Sequence, residues 1–183
     1  MTDKKQQVKD KFENYNFPKD RKYLINNTPN HLWLKEDLEN NLLVLGLSDF
    51  FQKRIGELKA FSTTAKPGIT TTSGKTLAIV KAKNYSSVLK HQLDGKVIEI
   101  NDLNKNPRLV NNSPYEKGWI LKFELESVSK DQLNKKWVEL VNEGENLFKE
   151  FIELEIKNNA LLPDDCCPDF LGGSGVVRRR KKN

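Results

Sequence analysis

The stretch NPRLVNNSPYEKGWILKFEL, residues 106–125, decides how the rest of the chain is read. Asn106 before Pro107 puts a proline at the first position of a short helical turn, where its missing N–H is not needed. Residues 111–118 are crowded with Asn, Ser, Pro and Gly, the composition of a tight loop. Gly118 then hands over to WILKFEL, an apolar and aromatic run that predicts a strand. Working outward, runs of the same kind recur between Asn, Gly, Pro and Asp clusters: HLWLK from 31, NLLVLGL from 41, LKAFSTT from 58, KTLAIVK from 75 and KVIEIN from 96. Short strands at this spacing predict a compact β-rich domain. One helical turn interrupts it at SDFFQKRIG (48–56), with Ser48 as the N-cap and Gly56 closing the segment.

The flanks differ. From Ser129 the period switches to helical: Ser129-x-x-Gln132 is a capping-box signature, and Leu133, Trp137, Leu140, Val141, Leu147, Phe148, Phe151 and Ile152 fall on one face. A single helix to about Asn159 is predicted, weakened midway by Gly144 by roughly 1 kcal/mol relative to alanine and ended by Pro163. Upstream, Val8, Phe12 and Tyr15 predict an amphipathic lead-in helix ended by Pro18. The expected organisation is a lead-in at 1–22, a β-rich domain at 23–126, a C-terminal helix at 127–160, and a loop with a disordered basic tail at 161–183. The fold class is mainly β with added helices (α+β).

The chain has 183 residues, 37% apolar and 31% charged, with a mean hydropathy of −0.67. That is enough apolar matter for one modest core. No stretch of 18 apolar residues exists, and the N-terminus lacks the apolar region of a secretory signal, so no membrane span and a cytoplasmic location are expected. The net charge is +6, but Arg178, Arg179, Arg180, Lys181 and Lys182 supply five of those charges, leaving the rest at +1. Nucleic acid is therefore not expected as a partner beyond nonspecific contact by the tail.

Three patterns with chemical potential carry little. TTSGKT (71–76) lacks the first glycine of a phosphate-binding loop, because Ile69 stands there and Gly68 is one place off. It also leads into LAIV, a strand and not a helix. Cys166 and Cys167 are adjacent and flanked by Asp164, Asp165 and Asp169, which oppose a thiolate. They remain a possible thiol site, as a vicinal disulfide or a reactive thiol. His31 and His91 stand at no metal-ligand spacing relative to them, so no metal is expected. No catalytic triad is singled out, and no enzyme activity is expected.

The order of motifs, NHLWLK (30–35), LLVLGLSDFFQKRIGEL (42–58), TTSGKTLAIVKAKN (71–84), LDGKVIEIN (93–101) and the opening stretch, resembles the glycine cleavage system H protein family. The resemblance covers Tyr23 to Glu126. His31, Trp33, Gly74, Gly95, Asn106, Pro107, Leu109, Asn111, Pro114, Tyr115, Gly118 and Trp119 fall on family positions, the last eight forming its most specific station. The resemblance implies a barrel-sandwich hybrid fold, as in lipoyl and biotinyl domains. It also implies a carrier role, in which a lysine at a β-hairpin tip bears lipoate and shuttles an aminomethyl group between the glycine cleavage enzymes. A hairpin tip suits that job because it is exposed and narrow. The biotinyl alternative lacks its Met-Lys-Met tip, the only methionine being Met1.

At the decisive place the sequence departs from the family. Aligned from Gly74 or from Gly95, the lipoyl-lysine position is Asn84, whose amide cannot be acylated, and Lys81 stands where the family has a glutamate. Lys83, one place away, and Lys81 are the alternative lipoyl lysines. The expectation is a non-lipoylated, protein-binding module without a cofactor. The alternative is a working carrier, with lipoate on Lys83 or Lys81. Partners by resemblance are glycine cleavage or lipoate-handling enzymes. A redox role for Cys166 and Cys167 is the third reading.

Overall fold

A computed structural model describes residues 14–25, 31–83, 85–140 and 143–158. Asn84, Val141, the Cys166–Cys167 loop, the basic tail and most of the expected lead-in helix lie outside the described residues.

Strands β1 (Lys22–Leu24), β2 (Leu32–Asp37) and β3 (Leu42–Leu47) form an antiparallel meander. The β2–β3 turn is set by Asp37, whose carboxylate accepts from the Asn40 backbone N–H at 3.2 Å and side-chain amide at 2.9 Å. Asn41 follows at φ 54°, a left-handed conformation that asparagine tolerates. Helix α1 (Asp49–Ile55) starts as predicted: Ser48 Oγ accepts from the Phe51 N–H at 3.2 Å, and Gly56 ends the helix at φ 79°. The helix buries Phe50, Phe51 and Ile55.

Next come β4 (Leu58–Thr63), β5 (Thr70–Thr71), β6 (Thr76–Ala82), β7 (Ser86–Lys90) and β8 (Gly95–Ile100). The turn α2 (Leu109–Asn112) and strand β9 (Trp119–Glu124) follow. The chain closes with α3 (Lys130–Lys136), β10 (Trp137–Glu139) and α4 (Glu143–Asn158). One sheet has the order β10-β1-β2-β3-β9-β8-β5, the other β4-β6-β7. Their inner faces share one core with Leu45, Phe61, Val80, Leu89, Val97 and Phe123, each 2% exposed or less. Each such side chain contributes about 1.5–3 kcal/mol by leaving water.

The C-terminal segment departs from the expected single helix. Trp137 and Val138 leave the helical path and pair with the edge of β1, in the register Lys22↔Glu139, Tyr23↔Val138, Leu24↔Trp137. An aromatic and a β-branched residue gain more from completing that edge than from one more helical turn. The predicted helix is thus α3 and α4 with β10 between them. Leu147, assigned to the buried face, is 53% exposed, whereas Phe148 and Ile152 are buried.

The capping box also fails to form. Ser129 caps α3 without a side-chain bond. Gln132 instead reaches across to Asp94, donating to its carboxylate at 2.6 Å and accepting from its N–H at 3.0 Å. The part of the lead-in that is described, residues 14–20, is turn and irregular chain, not helix. Pro18 denies it a helical donor, and its aromatics are used in packing: Tyr15 meets Phe50 at 4.8 Å and Phe17 meets Phe148 at 4.9 Å.

Candidate functional site: the hairpin of residues 76–90

β6 and β7 form a hairpin whose ladder runs Thr76↔Lys90, Ile79↔Val88, Val80↔Ser87 and Lys81↔Ser86. The Ala82 N–H donates to the Tyr85 carbonyl at 2.7 Å, closing the ladder just beyond the Lys81↔Ser86 pair. The tip is braced by α1 and the residue that follows its cap. The Lys83 N–H donates to the Glu57 carbonyl at 2.9 Å, and Tyr85 is buried with its ring 5.4 Å from Phe51, edge to face. Asn111 holds the segment that braces the tip: its amide donates to Gln52 Oε1 at 2.8 Å and to the Gly56 carbonyl at 3.2 Å, and its oxygen accepts from the Leu58 N–H at 2.9 Å. The Asn111, Glu57 and Tyr85 braces join segments far apart in the chain, which is why residue spacing did not reveal them.

Lys81 and Lys83 are both exposed. Lys81 lies within the ladder, opposite Ser86, with its side chain on the solvent face; Lys83 is at the turn. Gly74, at φ 86°, makes the turn into β6 and donates to the His91 carbonyl at 2.8 Å, tying the far end of the hairpin down. Gly95 has a different reason to be glycine: a Cβ there would stand 2.8 Å from Val128 Cγ2 and 3.1 Å from Phe123 Cδ1.

The remaining motif residues gather away from the tip. Trp33 Nε1 donates to the carbonyls of Leu47 (3.0 Å) and Pro114 (3.1 Å). Tyr115 OH donates to the Asn16 carbonyl at 2.6 Å and accepts from the Asp49 N–H at 3.0 Å. Arg21, which no motif flagged, lies with its guanidinium 4.7 Å over the Trp33 ring and 5.0 Å over the Tyr115 ring, and donates to the Tyr115 carbonyl at 2.7 Å. Gly118 lets β9 start against the α2 turn, where a Cβ would meet the Leu109 carbonyl oxygen at 2.7 Å. The Asn106 and Pro107 carbonyls accept from Leu109 and Val110, and Trp119 lies under the Lys122 ammonium at 4.6 Å. These residues hold the scaffold together and leave the hairpin free.

Both histidines are buried and separate. His31 sits against Phe50 (4.8 Å) and Phe151 (5.4 Å) with Nε2 3.8 Å from Glu155 Oε2. Burial lowers its pKa, and Glu155 pulls the other way. His91, beside Phe123, is pushed down to about 4 by burial. Among the described residues no three His, Cys, Asp or Glu side chains converge to hold a metal ion.

A depressed histidine pKa favours the neutral ring in the folded state. The stability it supplies is fully present above the unfolded value of 6.5 and is lost as pH falls from there toward 4. Urea unfolding across that window should show His91→Leu losing less stability on acidification than the parent chain, by about 1–2 kcal/mol after allowance for partial solvation. Parallel pH profiles would show that His91 does not titrate in this way.

Two antiparallel sheets around one core, with a braced hairpin between β6 and β7, define a protein of the barrel-sandwich hybrid class. A sequence model described as glycine cleavage H-protein matches residues 21–146, and the chain belongs to that family. It is 35% identical over 106 residues to the mitochondrial glycine cleavage system H protein of Pisum sativum, covering 57% of this chain and 61% of that one. It thus spans less than two thirds of the pea protein's length. It is 35% identical over 109 residues to the H protein of Carboxydothermus hydrogenoformans (59% of this chain, 78% of that one). For a Listeria monocytogenes H protein the figures are 34% over 108 residues, 58% and 81%. A crystal structure of an H protein from Mycobacterium marinum superposes with a TM-score of 0.52 over 65% of this chain and 98% of that one; at 18% identity this speaks to the fold.

The family consists of lipoyl carriers and not of enzymes. At Asn84, the position expected for the lipoyl lysine, the side chain is an amide and offers no amine for lipoate. Among the described helices none is long and apolar enough to cross a membrane.

Proposed function

We propose that this chain is a non-lipoylated member of the H-protein family that works as a protein-interaction module, keeping the carrier's hairpin and meeting partner proteins with it. The observation that carries this reading is Asn84 at the lipoyl-lysine position. Lys81, in place of the family's glutamate, points the same way, because it reverses the charge that an attaching enzyme meets. The hairpin's bracing supports a presented, rigid surface: Tyr85 and the Glu57 carbonyl hold the tip, and Asn111 holds the segment around Glu57. Partners by kinship are glycine cleavage and lipoate-handling proteins, and the cytoplasmic location expected from the sequence belongs to the same reading.

Intact-mass measurement after co-expression of the full chain with a lipoate ligase tests it. No lipoyl adduct is expected on the parent chain, whereas Lys81→Glu with Asn84→Lys, which restores both family residues, should acquire one. Exposed Lys83 is the amine at the turn. A lipoyl group mapped to Lys83 and lost in Lys83→Arg would overturn the reading and make the protein a carrier with a displaced arm.

A further inference from the structure

The charges of this chain are sorted into two opposed blocks. Residues 58–92 contain six lysines (59, 66, 75, 81, 83 and 90) and no aspartate or glutamate. Residues 139–158 contain six glutamates and two lysines (149 and 157). The first block is the sheet β4-β6-β7 with its loops; the second is β10's end and α4. All six lysines are exposed, and none of them pairs with a carboxylate among the described residues.

The two blocks also match in shape and apolar content. On the solvent face of β4-β6-β7, Ile79 (46% exposed) pairs with Val88, and Lys81 and Lys90 stand two residues beyond them in opposite directions along the strands. On the outer side of α4, Leu147 and Leu154 are each 53% exposed, two turns apart, with exposed Glu150 between them and Glu153 alongside. Glu145 is held by Lys149 and Lys19, and Glu155 faces His31, but Glu150 and Glu153 pair with no described cation. The 16 residues of α4 span roughly 24 Å and the seven of β6 roughly 23 Å, so one lies along the other end to end. An open sheet face with an apolar centre is the surface that a helix with one apolar stripe covers.

We infer that a second copy of this chain occupies this face: the Leu147–Glu150–Leu154 stripe of α4 from one molecule seats on the Ile79–Val88 face of β4-β6-β7 of another, with glutamates against lysines. Leucines provide the apolar contact, and the charges set orientation and on-rate. One helix on one sheet is a small interface; two copies that exchange helices reciprocally double it, as a two-fold pair does. The inference does not depend on whether the hairpin tip is modified.

Sedimentation velocity on the full-length chain across a concentration series tests it. The parent should self-associate, at least tenfold more weakly at 0.5 M than at 0.05 M salt, where exposed charges are screened (both salt values approximate). Lys81→Glu with Lys90→Glu should be monomeric, because both contacting surfaces are then acidic. Glu150→Lys with Glu153→Lys should be monomeric because both are basic. An equimolar mixture of the two variants restores opposite charges at every contact and should associate again. The substituted residues are at least partly exposed, and thermal melts on each variant confirm the fold. A parent that stays monomeric into the millimolar range, variants that associate like the parent, or a mixture that stays monomeric would each overturn the inference.

Discussion

Trp33→Ala is expected to destabilise the chain by about 3–5 kcal/mol, the range for emptying a buried aromatic site. At this chain length that is a fall in Tm of roughly 10 °C. The indole is 1% exposed and does three things at once. It fills the space opposite Gly46, its cross-strand partner, where any Cβ would run into the ring. Its N–H satisfies the carbonyls of Leu47 and Pro114, joining β3 to the loop before β9. Its face supports the Arg21 guanidinium, which is 9% exposed and would otherwise be desolvated over a void. Trp33→Phe keeps a ring but loses the two bonds and should cost roughly half as much. Gly46→Ala should be strongly destabilising in the parent and much milder beside Trp33→Ala, because the two changes compete for one volume. Chemical unfolding of the parent and the four variants measures all of this, and a loss under about 1 kcal/mol for Trp33→Ala would remove the indole from its central place in this account.

Gly144→Ala has the opposite sign from what helix propensity implies. Alanine is the better helix former by roughly 1 kcal/mol, so the sequence alone calls the substitution stabilising. In the structure Gly144 lies in the first turn of α4, where the helix leaves β10 so closely that a Cβ would overlap the Glu139 carbonyl oxygen and stand 2.9 Å from Val138 Cγ1. Backbone cannot yield as a flexible side chain can. A loss of about 1–3 kcal/mol is therefore expected, the usual range for overpacking. Because α4 is anchored by Phe148 against Phe17 and Tyr23, the strain should appear as earlier proteolysis within 143–158 as well as in the urea midpoint. A raised midpoint would show that the α4–β10 junction is looser than described.

Much of the fold was legible because its signals are local. Ser48 and Gly56 bracket α1 through bonds made within a few residues, and β6 and β8 follow from their apolar, β-branched runs. The candidate site was found by residue order, through Gly74 and Gly95 on either side of the hairpin. The errors share one cause. Trp137 reads as helical by spacing, Gln132 as half of a capping box and Gly144 as a mid-helix glycine, and each meets a partner outside its expected helix: the edge of β1, Asp94, and the Glu139 carbonyl that α4 must pass. Arg21 was missed for the same reason, since nothing near it in sequence announces two rings contributed by β2 and the loop before β9.

What the amino-acid order settled alone is the chemistry available at the hairpin, an amide at 84 with lysines at 81 and 83, because no folding can give Asn84 an amine. It also settled the sorting of charge into a lysine block and a glutamate block. What needed the folded chain is where those groups stand. Cross-strand pairing places Lys81 and Lys90 on either side of Ile79 and Val88, the edge of β1 breaks one expected helix in two, and Leu147 and Leu154 stand exposed on α4. Those outcomes depend on contacts between residues far apart in sequence, whose free energies outweigh the roughly 1 kcal/mol preferences that local sequence expresses.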